Sequence, residues 1–131
     1  LHSSLLGITA QRLLRTLCPS CKQPTELADA EWAALTKGWR IRKPDTAFGP
    51  VGCLECRNTG FRGRVGVYEM LRITPELKEL IGTSAGLGAI RKEAMKSGMR
   101  TLRLRGAQKV AEGLTTVDEV LRVTPPLDIT D

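Results

Sequence analysis

Cys18-Pro19-Ser20-Cys21 and, after a further 31 residues, Cys53-Leu54-Glu55-Cys56 are the stretches that decide how this chain is organised. Two residues between cysteines let a tight turn aim both sulfurs at one point, and two such turns complete a tetrahedron. Zinc suits four thiolates because it is redox-inert and imposes no geometry that the protein must meet by strain. Cys18, Cys21, Cys53 and Cys56 are therefore expected to bind one structural Zn2+. Such a closed site leaves no position for a substrate, so its role is to hold the fold. Lys22, Arg57 and Arg15 flank the pairs and are expected to offset the negative charge of the thiolates. Zinc on ligands of this type contributes about 10–16 kcal/mol in peptides at neutral pH, ample to order a small unit.

Other uses of the cysteines fit less well. No βαβ pattern surrounds either pair, which argues against a thioredoxin-like redox motif. The spacing is unlike the clustered cysteines of ferredoxins. Without an export signal, two disulfides are disfavoured relative to a metal.

Working outward, Gln11–Leu17 reads as a short strand with Leu13 and Leu14 partly buried, and residues 1–9 read as the end of a helix. Arg62–Ile73, rich in Val, Tyr and Ile, reads as a second strand. The order strand, C-x2-C, insert, C-x2-C, strand predicts a β-hairpin whose far end is clamped by the metal. The insert is too long to be structureless. Thr25 is expected to cap a helix with Glu26, Asp29 and Glu31 in its first turns. Leu27, Ala30, Ala34 and either Trp32 or Leu35 would face inward, and Gly38 would end the helix. Trp39 to Gly52, with Pro44, Gly49 and Pro50, reads as loop.

Beyond the second strand the pattern is helical. Thr74-Pro75-Glu76 opens a helix with Leu77, Leu80 and Ile81 on one face. Gly82 to Gly88 breaks it. Leu87, Ile90 and Ala94 mark another helix ending at Gly98. Thr101 caps the next, with Ala107, Val110 and Ala111 inward and Gly113 at its end. Thr116-Val117-Asp118-Glu119 is a capping box for a last helix, which Pro125-Pro126 terminates. The fold class expected is thus α+β: a hairpin carrying a tetracysteine zinc knuckle, then a small all-helical part.

The chain has 131 residues, 41% of them apolar but only 4% aromatic, so its core must rest on aliphatic side chains and benefits from a staple. The longest apolar run is far short of a membrane span. The opening Leu1-His2-Ser3-Ser4 is no secretory signal, and the sequence reads as a soluble fragment. Of the net charge of +6, much is local: Arg91, Lys92, Lys96, Arg100, Arg103, Arg105 and Lys109 face a single acid, Glu93, over the same stretch. That density suits nucleic acid, acidic lipid or an acidic protein face, or simply the solvated side of a helix. Gly82-Thr83-Ser84-Ala85-Gly86-Leu87-Gly88 lacks the Gly-Lys-Ser/Thr ending of a phosphate loop, so no ATP hydrolysis is expected from this chain alone. His2 reads as incidental. Tyr68 reads as a strand-core residue with its hydroxyl satisfied, beside Glu69.

A set of motifs in order resembles one family. They are Ser3-Ser4-Leu5-Leu6-Gly7, the run from Ala10 through Leu17 to Cys18-Pro19-x-Cys21, and Gly52-Cys53-x-x-Cys56. Asn58-Thr59-Gly60-Phe61-Arg62-Gly63-Arg64-Val65-Gly66-Val67-Tyr68-Glu69, Gly98-Met99-Arg100-Thr101-Leu102-Arg103 and Thr115 to Thr124 complete the set. Together they resemble the C-terminal part of the bacterial type II secretion and type IV pilus assembly ATPases, almost end to end and most weakly between residues 23 and 50. The resemblance implies that residues 1–17 are the end of a RecA-like core, 18–57 a zinc-binding subdomain, 58–73 the return strand, 74–124 a helical C-terminal subdomain and 125–131 a tail. It implies a parent that uses ATP and Mg2+ in an upstream core not present here. That parent would form a homohexamer at the cytoplasmic face of the inner membrane, and its zinc subdomain would meet a membrane platform protein. One departure is Leu104-Arg105, where acidic residues are expected. The competing readings are a zinc-ribbon nucleic-acid-binding module and a zinc enzyme. The first has its basic stretch far from the knuckles and few aromatics for stacking. The second lacks an acid/base pair beside the metal.

Overall fold

Two long strands paired over their whole length form the frame. In this computed structural model, residues 5–37, 39–82, 86, 89–90, 92–93 and 100–124 are described. Strand β1 (Leu5–Leu17) runs antiparallel to β4 (Phe61–Ile73), with Leu5 opposite Ile73, Leu13 opposite Gly66 and Leu17 opposite Phe61. The helix expected before residue 10 is therefore corrected: from Leu5 onward the chain is already strand. Leu5, Leu6 and Ile8 find partners in Ile73, Arg72 and Met70 of β4, and that pairing overrides the local pattern. The register shifts between Ile8 and Ala10, where β1 carries an extra residue, and again between Arg15 and Leu17. At the second shift the extra residue lies on β4, which turns through Gly63 at φ +85°. Leu14 is fully buried whereas Leu13 is 54% exposed, so the two leucines expected to share burial point to opposite faces.

The insert between the cysteine pairs holds more structure than its sequence suggested. β2 (Gln23–Thr25) pairs antiparallel with β3 (Ala47–Gly49), so Thr25 lies in a strand and does not cap the helix, and part of the expected loop is sheet. Helix α1 begins later, at Asp29, and ends at Leu35. Ala28 precedes it, and the Glu31 carboxylate accepts the Ala28 backbone N–H at 3.1 Å. Trp32, Leu35 and Leu27 are buried, while Ala30 and Ala34 are exposed. The Trp32 indole N–H donates to the Ile41 carbonyl at 2.8 Å, tying the helix to the segment that follows it. Gly38, the expected stop, lies outside the described residues.

The three later helices start where their hydroxyls predicted. α2 (Pro75–Gly82), α3 (Leu102–Ala111) and α4 (Val117–Val123) are each preceded by a threonine. Thr74, Thr101 and Thr116 accept the backbone N–H three residues on, each at 3.1 Å. Gly113 closes α3 at φ +79°. Ala107 and Val110 are buried as expected, but Ala111 is exposed. The helix expected around residues 87–98 falls largely outside the described residues, as do His2, Pro125 and Pro126. Where α3 meets α4, Gly106 lies so close to Val120 that an added Cβ would run into Cγ1 and lie 2.9 Å from Cγ2. The core is shared across these elements: Leu14 and Val67 from the hairpin, Leu27, Trp32, Leu35 and Ala47 from the insert, and Leu102, Ala107, Val110, Val117 and Val120 from the helices. Among the described residues no helix is long and apolar enough to cross a membrane.

Candidate metal centre

The ends of β1 and β4 place the cysteines. β1 delivers the chain directly to Cys18, whose N–H donates to the Gly60 carbonyl at 3.0 Å, just before β4 begins. The first turn closes with the Cys21 and Lys22 N–H groups both donating to the Cys18 carbonyl, at 3.3 and 3.0 Å. The second is a single 3-10 turn over Leu54–Cys56, followed by Arg57 and Asn58 in the left-handed region at φ 56° and 62°. Asn58 N–H returns to the Cys53 carbonyl at 2.8 Å. Each turn thus folds around its own first cysteine, and the hairpin end brings the two turns together.

All four sulfurs lie within 4.8 Å of one another. Sγ of Cys18 is 3.8 Å from that of Cys53, Cys21 is 3.9 Å from Cys56, and Cys53 is 3.8 Å from Cys56. A tetrahedron of sulfurs at a metal–sulfur distance of about 2.3 Å has edges of about 3.8 Å, so the spacing fits a single ion. Cys18, Cys21 and Cys56 are buried and Cys53 is partly exposed. All four sequence-expected ligands are brought together.

Backbone amides, not the neighbouring cations, balance these sulfurs. Gly52 N–H points at Cys21 Sγ from 3.3 Å, and Cys53 N–H and Gly60 N–H point at Cys56 Sγ from 3.3 and 3.2 Å. Burial opposes the Cys56 thiolate, but the Gly60 and Cys53 amides, aided by the Cys53 and Cys21 thiols, bring it down to about 6. Burial is also the leading influence at Cys53, whose thiol is pushed up to about 11. The expected role of the flanking cations is therefore revised. Lys22 Nζ donates to the Gly113 carbonyl at 2.8 Å and lies 4.8 Å from the Phe48 ring centre. Arg15 is held by Glu119 and stacks 4.2 Å from the centre of the Phe61 ring, while Arg57 is exposed. Both engaged cations link the cysteine end of the hairpin to the helices, a role that spacing along the chain could not signal.

Much of the described basic stretch serves internal contacts. Arg103 donates to the Thr124 hydroxyl and carbonyl, Lys109 is 3.6 Å from Glu112, and the Arg100 guanidinium sits 4.3 Å from the centre of a Trp39 ring. Tyr68, expected in the core, is 44% exposed, and Glu69 beside it is the buried residue. The alternation of a strand places the two on opposite faces, and here the core side falls to Glu69.

Beside this cluster of four sulfurs stands clear sequence kinship. The family model described as "Type II/IV secretion system protein" matches residues 1–122. The chain belongs to the type II/IV secretion system protein family. Within that family it is 45% identical over 123 residues to the type IV pilus assembly ATPase TfpB of Acinetobacter baylyi, covering 94% of this chain and 21% of that protein. It is 42% identical to the type II secretion system ATPase E of Vibrio cholerae, over 95% of this chain and 24% of that protein. With the type IV pilus assembly ATPase PilB of Myxococcus xanthus it shares 41% identity over 95% of its length and 22% of the relative. The chain thus spans between a fifth and a quarter of the length of these family members.

Proposed function

We propose that this chain is the C-terminal zinc-binding and helical portion of a hexameric ATPase that powers type II protein secretion or type IV pilus assembly, and that it couples the ATPase ring to an inner-membrane platform protein. Kinship to secretion and pilus ATPases supports the parent activity. The observation that carries this chain's own part is the cluster of four sulfurs at the end of the hairpin. Zinc bound there supplies a redox-inert cross-link between the two turns. Cys18, Cys21, Cys53 and Cys56 would hold it, and the Gly52, Cys53 and Gly60 amides would share the thiolate charge. ATP and Mg2+ would be bound by the parent's core, not by these residues.

In this reading residues 18–57 form the metal-bound subdomain, 1–17 and 58–73 the hairpin of the core, and 74–124 the helical subdomain. The core shared by Trp32, Leu35, Val110 and Val120 would carry force applied at the metal end to the helices. Val51 and Leu54, 63% and 92% exposed beside the second turn, give that end an apolar contact for the platform. The setting is the cytoplasmic side of the bacterial inner membrane.

The test combines metal content with docking. The intact protein should carry one zinc per chain, and Val51→Asp with Leu54→Asp should keep the zinc while losing capture by the cytoplasmic part of the platform protein. Protein purified without chelator that contains no zinc rejects the metal reading. Undiminished capture by the double variant rejects docking through this end.

A further inference from the structure

Four thiolates in one cluster are not equally placed for chemistry with the outside. Cys18 has no exposed surface, and Cys21 and Cys56 are 8% and 5% exposed, whereas Cys53 is only partly buried. Cys53 is followed on its turn by the almost fully exposed Leu54, so this turn lies at the surface. Backbone amides face three of the four sulfurs. Cys56 accepts two from donors at 3.2–3.3 Å, Cys21 accepts one at 3.3 Å, and Cys53 faces the amides of Cys56 and Glu55, so exposure is what sets Cys53 apart. Oxidation of a thiolate follows its charge and its exposure together.

We propose that Cys53 is a modification site, the sulfur through which the metal centre reacts with peroxides, and that the product is a disulfide joining Cys53 to Cys18. This rests on the metal reading given above. The Cys53 thiolate attacks one peroxide oxygen, the O–O bond breaks, and a sulfenic acid forms as hydroxide leaves. A second thiolate then attacks the sulfenyl sulfur, forming the S–S bond and releasing the second oxygen as hydroxide. Two thiolates are oxidised and one peroxide is reduced, so no further reagent is needed. Cys18 and Cys56 both stand 3.8 Å from Cys53. Cys56 belongs to the same tight turn and is held by two amides, whereas Cys18 comes from the other turn. The bond therefore links the two C-x2-C pairs. Loss of two thiolate ligands leaves Cys21 and Cys56, too few to retain the ion.

The experiment uses the intact, zinc-loaded protein and hydrogen peroxide added in steps, first up to one equivalent and then up to ten. A chromogenic chelator records released zinc, and mass spectrometry of rapidly alkylated digests maps the oxidised residues. The expected result is sulfenic acid on Cys53 at early times, then a Cys18–Cys53 linked peptide appearing in parallel with the loss of one zinc per chain. Zinc loss accompanied by a Cys53–Cys56 or Cys18–Cys21 bond, or by oxidation spread evenly over the four, overturns the assignment while leaving the metal site standing. Retention of zinc and of four free thiols through ten equivalents also overturns it. Protein that holds no zinc before peroxide is added removes the basis of both readings.

Discussion

Glu119, on α4, is bound at both carboxylate oxygens by Arg15, which lies 104 positions earlier on β1. Arg15 backbone N–H reaches Oε2 at 2.9 Å, and its guanidinium reaches Oε1 at 3.1 and 2.9 Å. Arg122 adds contacts from one helical turn further on, at 2.9 to 3.2 Å. The Glu119 side chain is 1% exposed while both arginines remain near half exposed, so a buried acid is neutralised by cations that keep contact with water. The contact stitches the hairpin to the helices at the strand end that leads into Cys18.

Replacing this acid should be costly. Glu119→Gln keeps the shape but loses the charge-assisted bonds, and about 2 kcal/mol of stability is expected to go with them. Chemical denaturation of the variant and parent reads this directly, and a loss below a few tenths would show that the pair is ornamental.

The same residue predicts a response to acid. Burial alone would raise its pKa, but the Arg15 side chain and backbone N–H, then Arg122, hold the carboxyl below its ordinary 4.5. A depressed folded-state pKa means that the unfolded chain takes up the proton first. Stability from this group is therefore complete above the unfolded value and is lost as pH falls through the folded one. Melting temperature measured from pH 6 to pH 3 should fall below about pH 4.5, and the fall should be shallower in Glu119→Gln. Equal slopes for the two proteins would assign the acid sensitivity elsewhere.

Gly106 makes an opposite prediction to helix propensity. Alanine in a helix interior is ordinarily better than glycine by about 0.5–1 kcal/mol. Here the new methyl would meet Val120 across the α3–α4 contact. Gly106→Ala should therefore destabilise the protein by about 1–3 kcal/mol, with much of that recovered in combination with Val120→Ala. A thermal melt of the single variant at or above the parent value would contradict the close packing.

Removing the metal should act locally first. A strong chelator is expected to release hydrogen-exchange protection at Gly52, Cys53 and Gly60, whose amides face the sulfurs, and at Lys22 and Asn58 in the turns. The α3–α4 pair, held by its own apolar contacts, should keep more of its protection. Simultaneous collapse of all these amides would mean that the ion supports the entire core.

Lys22 offers a gentler probe. Its ammonium caps the Gly113 carbonyl at the end of α3 and lies over Phe48. Lys22→Met should cost about 1 kcal/mol with no change in metal stoichiometry, because the charge serves the helix end and not the sulfurs. A fall in metal affinity would restore Lys22 to the electrostatic role its position after Cys21 suggested.

What the sequence disclosed was local chemistry. The two C-x2-C turns, the Val-rich return strand and the hydroxyls of Thr74, Thr101 and Thr116 act within a few residues of themselves, and all three stand where expected. The failures are contacts between distant segments. Leu5 to Thr9 become strand only because β4 lies alongside them, and Thr25 pairs with Ala47 across an entire helix. Glu119 fulfils only half of its capping box. Thr116 takes its N–H, but the carboxylate turns to Arg15, a partner no window along the chain contains. Adjacency to cysteines suggests counter-ions in Lys22 and Arg15, yet both are engaged by Gly113 and Glu119, and backbone N–H groups lie against the sulfurs.

The segment 114–119 also covers one margin of β1. Leu17 N–H donates to the Leu114 carbonyl at 2.7 Å, the Thr115 hydroxyl donates to the Arg15 carbonyl at 2.8 Å, and Arg15 N–H ends on Glu119. Near the cysteines these backbone groups of Arg15 and Leu17 are therefore already taken on that side and are not open for another chain to copy. Loss of the 114–119 strap would uncover a template for misassembly beside the sulfurs, where a mispaired neighbour would do most damage.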